Sequence, residues 1–313
     1  ISEAYFLHQY RYRYKFDYHL DLSFHKQGEY NRNYIRTGLG YGIFYGDSLS
    51  SYQLECWTAL AIISSYTKSI RLGPAVTFPL IRHPSILART AATIDQFSNG
   101  RLEFRVGLGG KTMRSDSKKY GFEFATYENR VKILDESLQI MKSLWSNKET
   151  NFSGEYFNLD RASQEIIPVQ KNGPPVTISG KSNSVLELLE RHGDVWEAGG
   201  RKDDNYELLV QKVDDICSRS NKPKIDKSIE LFILIDKDGD ESRSSFEGFD
   251  GWNFFNGSAD YVCENMQTML DVGFNRFSVY FVEKNGSPFR QTEANLVEQM
   301  ELFKDKVIPN LRI

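Results

Sequence analysis

The chain has 313 residues, of which 40% are hydrophobic and 26% are charged, so it is long enough to bury a large hydrophobic core. Its 39 basic and 42 acidic side chains give a formal charge of -3, which argues against nucleic acid or an anionic membrane as a partner. Cys56, Cys217 and Cys263 are too widely separated for a zinc site or a disulfide framework, and no apolar run could span a membrane. These features predict a cytoplasmic protein whose partners are small molecules or copies of itself.

Short β-rich segments alternate with longer segments of helical period, which is typical of βαβ units around a parallel sheet. Eight strands are predicted, at 16–24, 41–46, 71–78, 101–108, 175–179, 194–198, 229–235 and 276–282. Helices are predicted at 27–38, where the pattern is weak, and at 51–66, 85–97, 126–145, 183–192, 204–219, 258–272 and 291–306. Because eight strands can close a barrel, the pattern predicts an α/β fold of the (β/α)8 TIM type.

The predicted barrel is a single domain over residues 1–313, in which 1–15 is either a trimmed terminus or a small N-terminal extension. Two connections, 146–174 and 236–257, are longer than an ordinary βα loop and predict an inserted loop region. The second connection carries three aromatic residues, Trp252, Phe254 and Phe255. It is either a lid over an apolar ligand or a solvated loop held by an aromatic cluster.

A glycine-rich segment follows the predicted strand 101–108. Its sequence is Gly107-Leu108-Gly109-Gly110, at the C-terminal strand end where barrel enzymes keep their sites. Glycines there either let the backbone approach a flat ligand and present N–H groups to it, or serve only a tight turn.

A series of short motifs covers most of residues 38–310. They include Leu72-Gly73-Pro74-Ala75-Val76-Thr77, Arg82-His83-Pro84, Ala91-Ala92-Thr93-Ile94-Asp95, Ser98-Asn99-Gly100-Arg101, Tyr127-Glu128-Asn129-Arg130 and Ile178-Ser179-Gly180-Lys181-Ser182. Together with the glycine-rich segment, this series resembles the bacterial luciferase-like superfamily. That superfamily includes FMN-dependent monooxygenases and enzymes that use the deazaflavin coenzyme F420.

The resemblance implies where a coenzyme would bind. Its ring would lie against the end of the third strand, where family members often have a non-proline cis peptide, here between Ala75 and Val76. Its phosphate would meet the helix start after the fifth strand, with Arg130 nearby. The implied coenzyme-binding residues are Ala75, Val76, Thr77, Gly107, Gly109, Gly110, Arg130, Ser179, Gly180, Lys181 and Ser182. As alternatives, Ser182 is only a helix N-cap and Arg130 forms a surface ion pair.

Asp47 is the candidate catalytic residue, because it ends the second strand where many relatives carry an Asp-His pair. Here Ser48 replaces the histidine, and a serine cannot move protons near neutral pH unaided. Deazaflavin-dependent dehydrogenases of the family also tend to carry a carboxylate just after the glycine loop, where this chain has Lys111 and Thr112. Both departures argue against chemistry of the sugar-dehydrogenase type.

The histidines receive structural interpretations first. His83 is expected to pack at a helix start, and His192 to end a helix whose dipole favours an imidazolium. His25 is placed near the barrel mouth. No metal site is predicted.

The leading hypothesis is a luciferase-like monooxygenase that takes reduced FMN from a separate flavin reductase and uses O2 to oxidise a small apolar substrate. The alternative is an F420-dependent reductase or dehydrogenase, because residues 73–84 resemble the methylenetetrahydromethanopterin reductase branch. A flavin-binding protein without turnover and a Schiff-base enzyme using Lys181 also stay open. The resemblance further implies a homodimer, for which the apolar helix 54–63 would provide an interface unless its residues belong to the core.

Overall fold

The computed structural model describes residues 18–23, 42–49, 54–146, 149–220, 225–235, 251–282 and 293–312. The strands are β1 (Tyr18–Ser23), β2 (Gly42–Tyr45), β3 (Arg71–Pro74), β4 (Phe104–Gly107), β5 (Thr150–Ser153), β6 (Asn158–Ala162), β7 (Val176–Ser179), β8 (Val195–Glu197), β9 (Asp226–Ile235), β10 (Phe254–Gly257) and β11 (Arg276–Phe281). The helices are α1 (Cys56–Tyr66), α2 (Pro84–Phe97), α3 (Lys111–Tyr120), α4 (Tyr127–Ser146), α5 (Asn183–His192), α6 (Tyr206–Arg219), α7 (Ala259–Val272) and α8 (Glu293–Leu302).

All eight predicted strands are present, and so is every predicted helix except 27–38, which lies outside the described residues. The predicted extension 1–15 and His25 also lie outside them. The chain divides into two compact units, the first holding residues 43–196 and the second holding β1 with residues 197–312. The single-domain assignment stays a prediction.

In the first unit, the C-terminal ends of β3, β4 and β7 meet at one edge. Strands β4 and β7 are parallel, with Gly107 opposite Ser179, and a parallel bridge joins Thr77 to Val106. All four residues of β4 are buried, as expected for a strand covered on both faces. Helix α2 begins with Pro84 and buries its apolar face. The polypeptide after each of these strands therefore reaches the same region.

Two segments of the first unit differ from the sequence prediction. Helix α3 was not predicted, because Lys111–Tyr120 is almost wholly polar and Met113 is its one buried apolar residue. The stretch 146–174, predicted as an irregular loop, contains the antiparallel pair β5 and β6. Its strands are too short and too exposed to show a clear alternation of apolar residues.

Glu136 on α4 holds this hairpin in place. Its carboxylate accepts hydrogen bonds from the backbone N–H groups of Glu155 (2.7 Å), Tyr156 (3.0 Å) and Phe157 (3.1 Å). A side chain at Gly154 would stand 2.4 Å from the Glu136 carboxylate. Gly154 therefore makes room for the glutamate, whose charge strengthens each of the three hydrogen bonds.

In the second unit, β9 is parallel to β10 and to β11, but β1 is antiparallel to β11, with Leu20 opposite Val279. The prediction of a wholly parallel sheet was wrong at β1, because strand patterns do not encode direction. The aromatic stretch at 252–255 belongs to this sheet, since β10 comprises Phe254–Gly257, whereas residues 236–250 lie outside the description. Trp252 packs edge-on against Phe232, at a centroid distance of 5.4 Å.

Arg101 ties two helix ends of the first unit to the start of β4. Its buried guanidinium donates to the carbonyl oxygens of Ser64, Thr67, Ile70 and Ser98 and to the Thr67 hydroxyl, at 2.6 to 2.9 Å. These acceptors belong to the last turn of α1 and to the segments that follow α1 and α2. The arginine thus satisfies carbonyl groups that the ends of helices leave without partners.

We expect Arg101→Lys to lower the free energy of unfolding by roughly 2–4 kcal/mol, because an ammonium has three donors and cannot reach all five acceptors. Arg89→Lys on the exposed side of α2 is the matched control and should change little. Urea denaturation followed by circular dichroism measures both. Superimposable curves for Arg101→Lys and the wild type would show that the guanidinium does not hold these segments.

Candidate functional site

A pocket of about 410 Å³ lies in the first unit at the C-terminal ends of its strands. The lining consists mainly of backbone, apolar side chains and hydroxyl groups. Its residues are Val76, Phe78, Gly107, Leu108, Gly109, Gly110, Tyr127, Ser179, Gly180, Lys181, Ser182 and Val185. The structure therefore brings the glycine-rich segment together with the residues that follow β3 and β7.

The three glycines of the loop have different reasons to be glycine. A Cβ at Gly107 would stand 3.0 Å from the Val76 side chain, and Gly109 has a φ of 77°, which disfavours other residues. Gly110 has an ordinary extended backbone, and a Cβ there would meet nothing within 4 Å. Close packing against Val76 thus explains Gly107 and the turn interpretation explains Gly109, whereas Gly110 borders open space.

The segment after β3 presents its side chains alternately. The peptide bond between Ala75 and Val76 is cis, as the resemblance implied. Val76 and Phe78 line the pocket, whereas Thr77 is fully buried, donates from its hydroxyl to Asp47 Oδ2 (2.7 Å) and accepts from Trp57 Nε1 (3.3 Å). Ala75 and the Thr77 side chain are not among the lining groups.

Asp47 is buried and forms a two-point ion pair. Arg82 donates from Nη1 to Oδ2 (2.6 Å) and from Nη2 to Oδ1 (2.9 Å), and it also binds Glu55 (2.7 Å). Burial opposes the charge of Arg82, but the hydrogen bonds that it donates to Asp47 and Glu55 raise its pKa. Asp47 lies outside the pocket lining and serves Arg82 and Thr77, so its geometry is that of an anchor.

The residues predicted to meet a phosphate surround the N-terminus of α5. Ser182 is the N-cap, since its hydroxyl accepts the Val185 N–H (3.3 Å), and the Tyr127 hydroxyl also bonds to it. The carbonyl of Gly180 accepts from Trp196 Nε1 at 2.7 Å. Ser182 both caps the helix and lines the pocket, so its role as an N-cap is compatible with the predicted phosphate binding. The helix dipole places positive potential at this wall.

Arg130 is only 7% exposed and does not line the pocket. Its Nη1 donates to the Ala125 carbonyl (2.7 Å), and its guanidinium lies over the rings of Phe124 (4.2 Å) and Tyr127 (5.7 Å). Its Nε is buried and has no hydrogen-bond partner among the described residues. The surface ion pair considered as an alternative is therefore wrong, because the side chain is stacked and buried. Its role in coenzyme binding stays a prediction.

Sequence reasoning missed several groups that shape this site. Leu108, Tyr127 and Val185 line the pocket, and Arg82 belongs to a motif but had no assigned role. Tyr127 and Arg130 are three residues apart on α4, so helical spacing could have paired them.

The histidines take structural roles. His83 caps α2, where Nδ1 accepts the Ser85 N–H (3.3 Å), as expected for a residue that packs at a helix start. His192 binds Asp135 (2.6 Å), yet burial lowers its pKa, so the predicted imidazolium is not favoured. Across the described part of the chain, no group of acidic, histidine or cysteine residues has the geometry of a metal site, and no helix could cross a membrane.

A sequence profile described as luciferase-like monooxygenase matches residues 26–303. The chain belongs to this family of oxidoreductases. The predicted resemblance is thereby confirmed.

Two curated relatives illustrate the range of the family. An F420-dependent hydroxymycolic acid dehydrogenase of Mycobacterium tuberculosis is 28% identical over 277 residues, covering 82% of this chain and 74% of that protein. A pyrimidine monooxygenase of Allorhizobium ampelinum is 26% identical over 215 residues, covering 67% of this chain and 55% of that protein. The chain therefore spans little more than half of the second relative.

Solved structures confirm the fold. An F420-dependent secondary alcohol dehydrogenase with an F420-acetone adduct has a TM-score of 0.74 at 18% identity, over 89% of this chain and 92% of that chain. The oxygenating constituent of 3,6-diketocamphane monooxygenase from Pseudomonas putida, in complex with FMN, has a TM-score of 0.70 at 15% identity, over 93% and 97%. The chain thus has the predicted TIM-type α/β barrel fold of these enzymes.

If Asp47 is an anchor, Asp47→Asn should lower the free energy of unfolding by roughly 2–4 kcal/mol, because it leaves the largely buried Arg82 without its main counter-charge. Glu55→Gln is the matched control, since it removes the other carboxylate bound to Arg82. The Glu55 side chain is 51% exposed, against 3% for Asp47, so the control should cost less than about 1 kcal/mol. Chemical denaturation would contradict the assignment if both variants unfolded alike.

Proposed function

We propose that the protein is a flavin-dependent monooxygenase that uses reduced FMN and O2 on a small apolar substrate. The observation that carries the proposal is the composition of the pocket in the first unit. Among its described lining residues there is no carboxylate or imidazole, and backbone, apolar and hydroxyl groups predominate. Such walls suit a reaction in which the coenzyme supplies the reactivity and the protein supplies binding and a dry environment.

The residues present fit a flavin with a phosphate. Gly110 leaves space beside the loop, and Val76 and Gly107 line the pocket so close together that a Cβ at Gly107 would stand 3.0 Å from the Val76 side chain. At another wall of the pocket, Ser182 and the first N–H groups of α5 provide donors for an anion, with the Lys181 ammonium beside them. The predicted coenzyme-binding residues at the strand ends thus include an apolar part and an anion-binding part, as FMN requires.

The chain would contribute binding and orientation. Reduced FMN supplies the activation of oxygen when it is bound. Val76 and Phe78 exclude water from one wall, and the hydroxyl and backbone donors at 179–182 hold the phosphate. Both carboxylate oxygens of Asp47 accept from Arg82 and Asp47 does not line the pocket, so its geometry presents no oxygen to a ligand there. The pyrimidine monooxygenase relative and the FMN complex with the same fold support this proposal.

The second candidate is an F420-dependent reductase or dehydrogenase. It is favoured by the relative that covers 82% of this chain, an F420-dependent dehydrogenase, and by a 5,10-methylenetetrahydromethanopterin reductase of Archaeoglobus fulgidus that is 25% identical over 191 residues. A hydride-transfer enzyme would require the deazaflavin and would not consume O2. The cytoplasmic location and the separate flavin reductase stay predictions.

The deciding experiment is an equilibrium titration with FMN, reduced FMN and coenzyme F420, followed by fluorescence and calorimetry. We expect selective binding of reduced FMN with a Kd on the order of micromolar, and O2 consumption with members of a panel of aldehydes, sulfonates and alkanes. Tight binding of F420 with FMN excluded would overturn the proposal in favour of the second candidate. Stoichiometric binding of FMN without catalysed O2 consumption would indicate a flavin-binding protein that has no turnover.

A variant at Gly110 tests the place of binding in the same titration. Gly110→Val should raise the Kd for reduced FMN by about tenfold or more, because the new side chain would project into open space that the ligand needs. The backbone there is extended, which valine adopts without strain, so the melting temperature should fall only by the small cost of replacing a glycine N-cap. Ser115→Val on the exposed side of α3 is the control. Unchanged FMN affinity for Gly110→Val would place the coenzyme elsewhere.

A homodimer is the proposed assembly, supported by apolar side chains that the first unit leaves exposed. In helix 54–63 most apolar residues belong to the core, but α1 exposes Tyr66 and α2 exposes Ile86 (62%) and Phe97 (72%). Phe97→Glu should convert the dimer to a monomer in light scattering, whereas Tyr120→Glu on α3 should not. A monomeric wild type would exclude this assembly.

A further inference from the structure

Two arginines meet at one aromatic ring beside the pocket. The guanidinium carbons of Arg114 and Arg130 lie 5.4 Å and 4.2 Å from the centroid of Phe124. Across the described ranges, neither arginine forms a salt bridge, and Arg130 Nε is buried without a hydrogen-bond partner. Two like charges thus converge, and the nearby carboxylate of Glu128, which attracts Arg130, forms no salt bridge with either of them.

This arginine pair is continuous with the wall of the pocket. Phe124 would stand 3.6 Å from a Cβ at Gly109, and the backbone N–H of Arg114 donates to the Gly110 carbonyl (3.0 Å). On the other side, Arg130 lies over Tyr127, whose hydroxyl bonds to Ser182 at the start of α5. The pair therefore adjoins both the glycine loop and the helix N-terminus.

The electrostatics of the pair favour an anion. Burial, and then the positive charge of Arg114, lower the pKa of the Arg130 guanidinium. Two cations held close together repel each other, which costs electrostatic free energy. An anion between or beside them attracts both and offsets that cost. A dianionic phosphate is suited to this arrangement because guanidinium groups match phosphate oxygens in geometry and charge.

We propose that Arg114 is a second coenzyme-binding arginine, which acts with Arg130 on the phosphomonoester end of the ligand. The proposal deepens the proposed function and rests on it for the identity of the coenzyme. Arg114 lies in a helix that the sequence pattern did not predict, so no motif indicated it. Its role is to attract and hold the dianion, and the reacting ring is bound without it.

The test compares reduced FMN with reduced riboflavin, which carries the same ring but no phosphate. Arg114→Gln should weaken FMN binding by about tenfold and leave riboflavin binding unchanged, because one charge-assisted contact to the phosphate is lost. Lys118→Gln is the matched control, since it removes one positive charge one turn later on the same exposed helix. The control should bind both flavins as the wild type does.

A second arm uses inorganic phosphate and melting temperature, so that it does not depend on flavin binding. Phosphate should stabilise the wild type and the Lys118→Gln variant more than the Arg114→Gln variant. Equal behaviour of the two variants toward FMN and toward phosphate would overturn the role of Arg114. A phosphate effect that requires Arg114, in a protein that binds no flavin, would support the anion site and reject the proposed function.

Discussion

The carboxylate of Asp47, held by both terminal nitrogens of Arg82 and by the Thr77 hydroxyl, fixes the segment on which the pocket depends. Side chains alternate along this segment, so anchoring Thr77 on one side determines where Val76 and Phe78 stand on the other. A buried ion pair contributes little net stability, but breaking it leaves an uncompensated charge. The arrangement therefore favours one conformation of the pocket wall over its alternatives.

This anchoring is consistent with an enzyme in which the coenzyme supplies the reactivity and the protein supplies binding and a dry environment. Asp47 is paired behind the wall, whereas Lys181 and Ser182 line the pocket at the anion-binding end near α5. Between them the pocket offers Val76, Phe78 and glycine backbone. Such a surface can exclude water and hold a flat molecule without protonating it. The serine at position 48, where many relatives carry a histidine, is consistent with such a site.

The strand positions and most helices could be predicted because burial imposes a strong period on their sequences, as in α2 and β4. The glycine loop and the residues 179–182 were predictable from motif and strand end together. The antiparallel direction of β1 could not be predicted, because the sequence pattern of a strand does not encode its direction. Helix α3 could not be predicted because it is almost wholly polar and has no apolar period. The roles of Asp47 and Arg82 required the structure, because residues 35 positions apart form the pair.

The hairpin of β5 and β6 is attached to the barrel in a way that affects how such proteins can diversify. One carboxylate, Glu136, receives three consecutive backbone N–H groups, and backbone groups are the same whatever side chains the hairpin carries. Apart from the small residue required at Gly154, these three hydrogen bonds place no demand on hairpin sequence, and other attachments are the side-chain contacts of Thr150, Glu155 and Phe157. The hairpin is thus an exchangeable part, and a chimera that retains the glutamate and the glycine could receive a different hairpin on an unaltered scaffold.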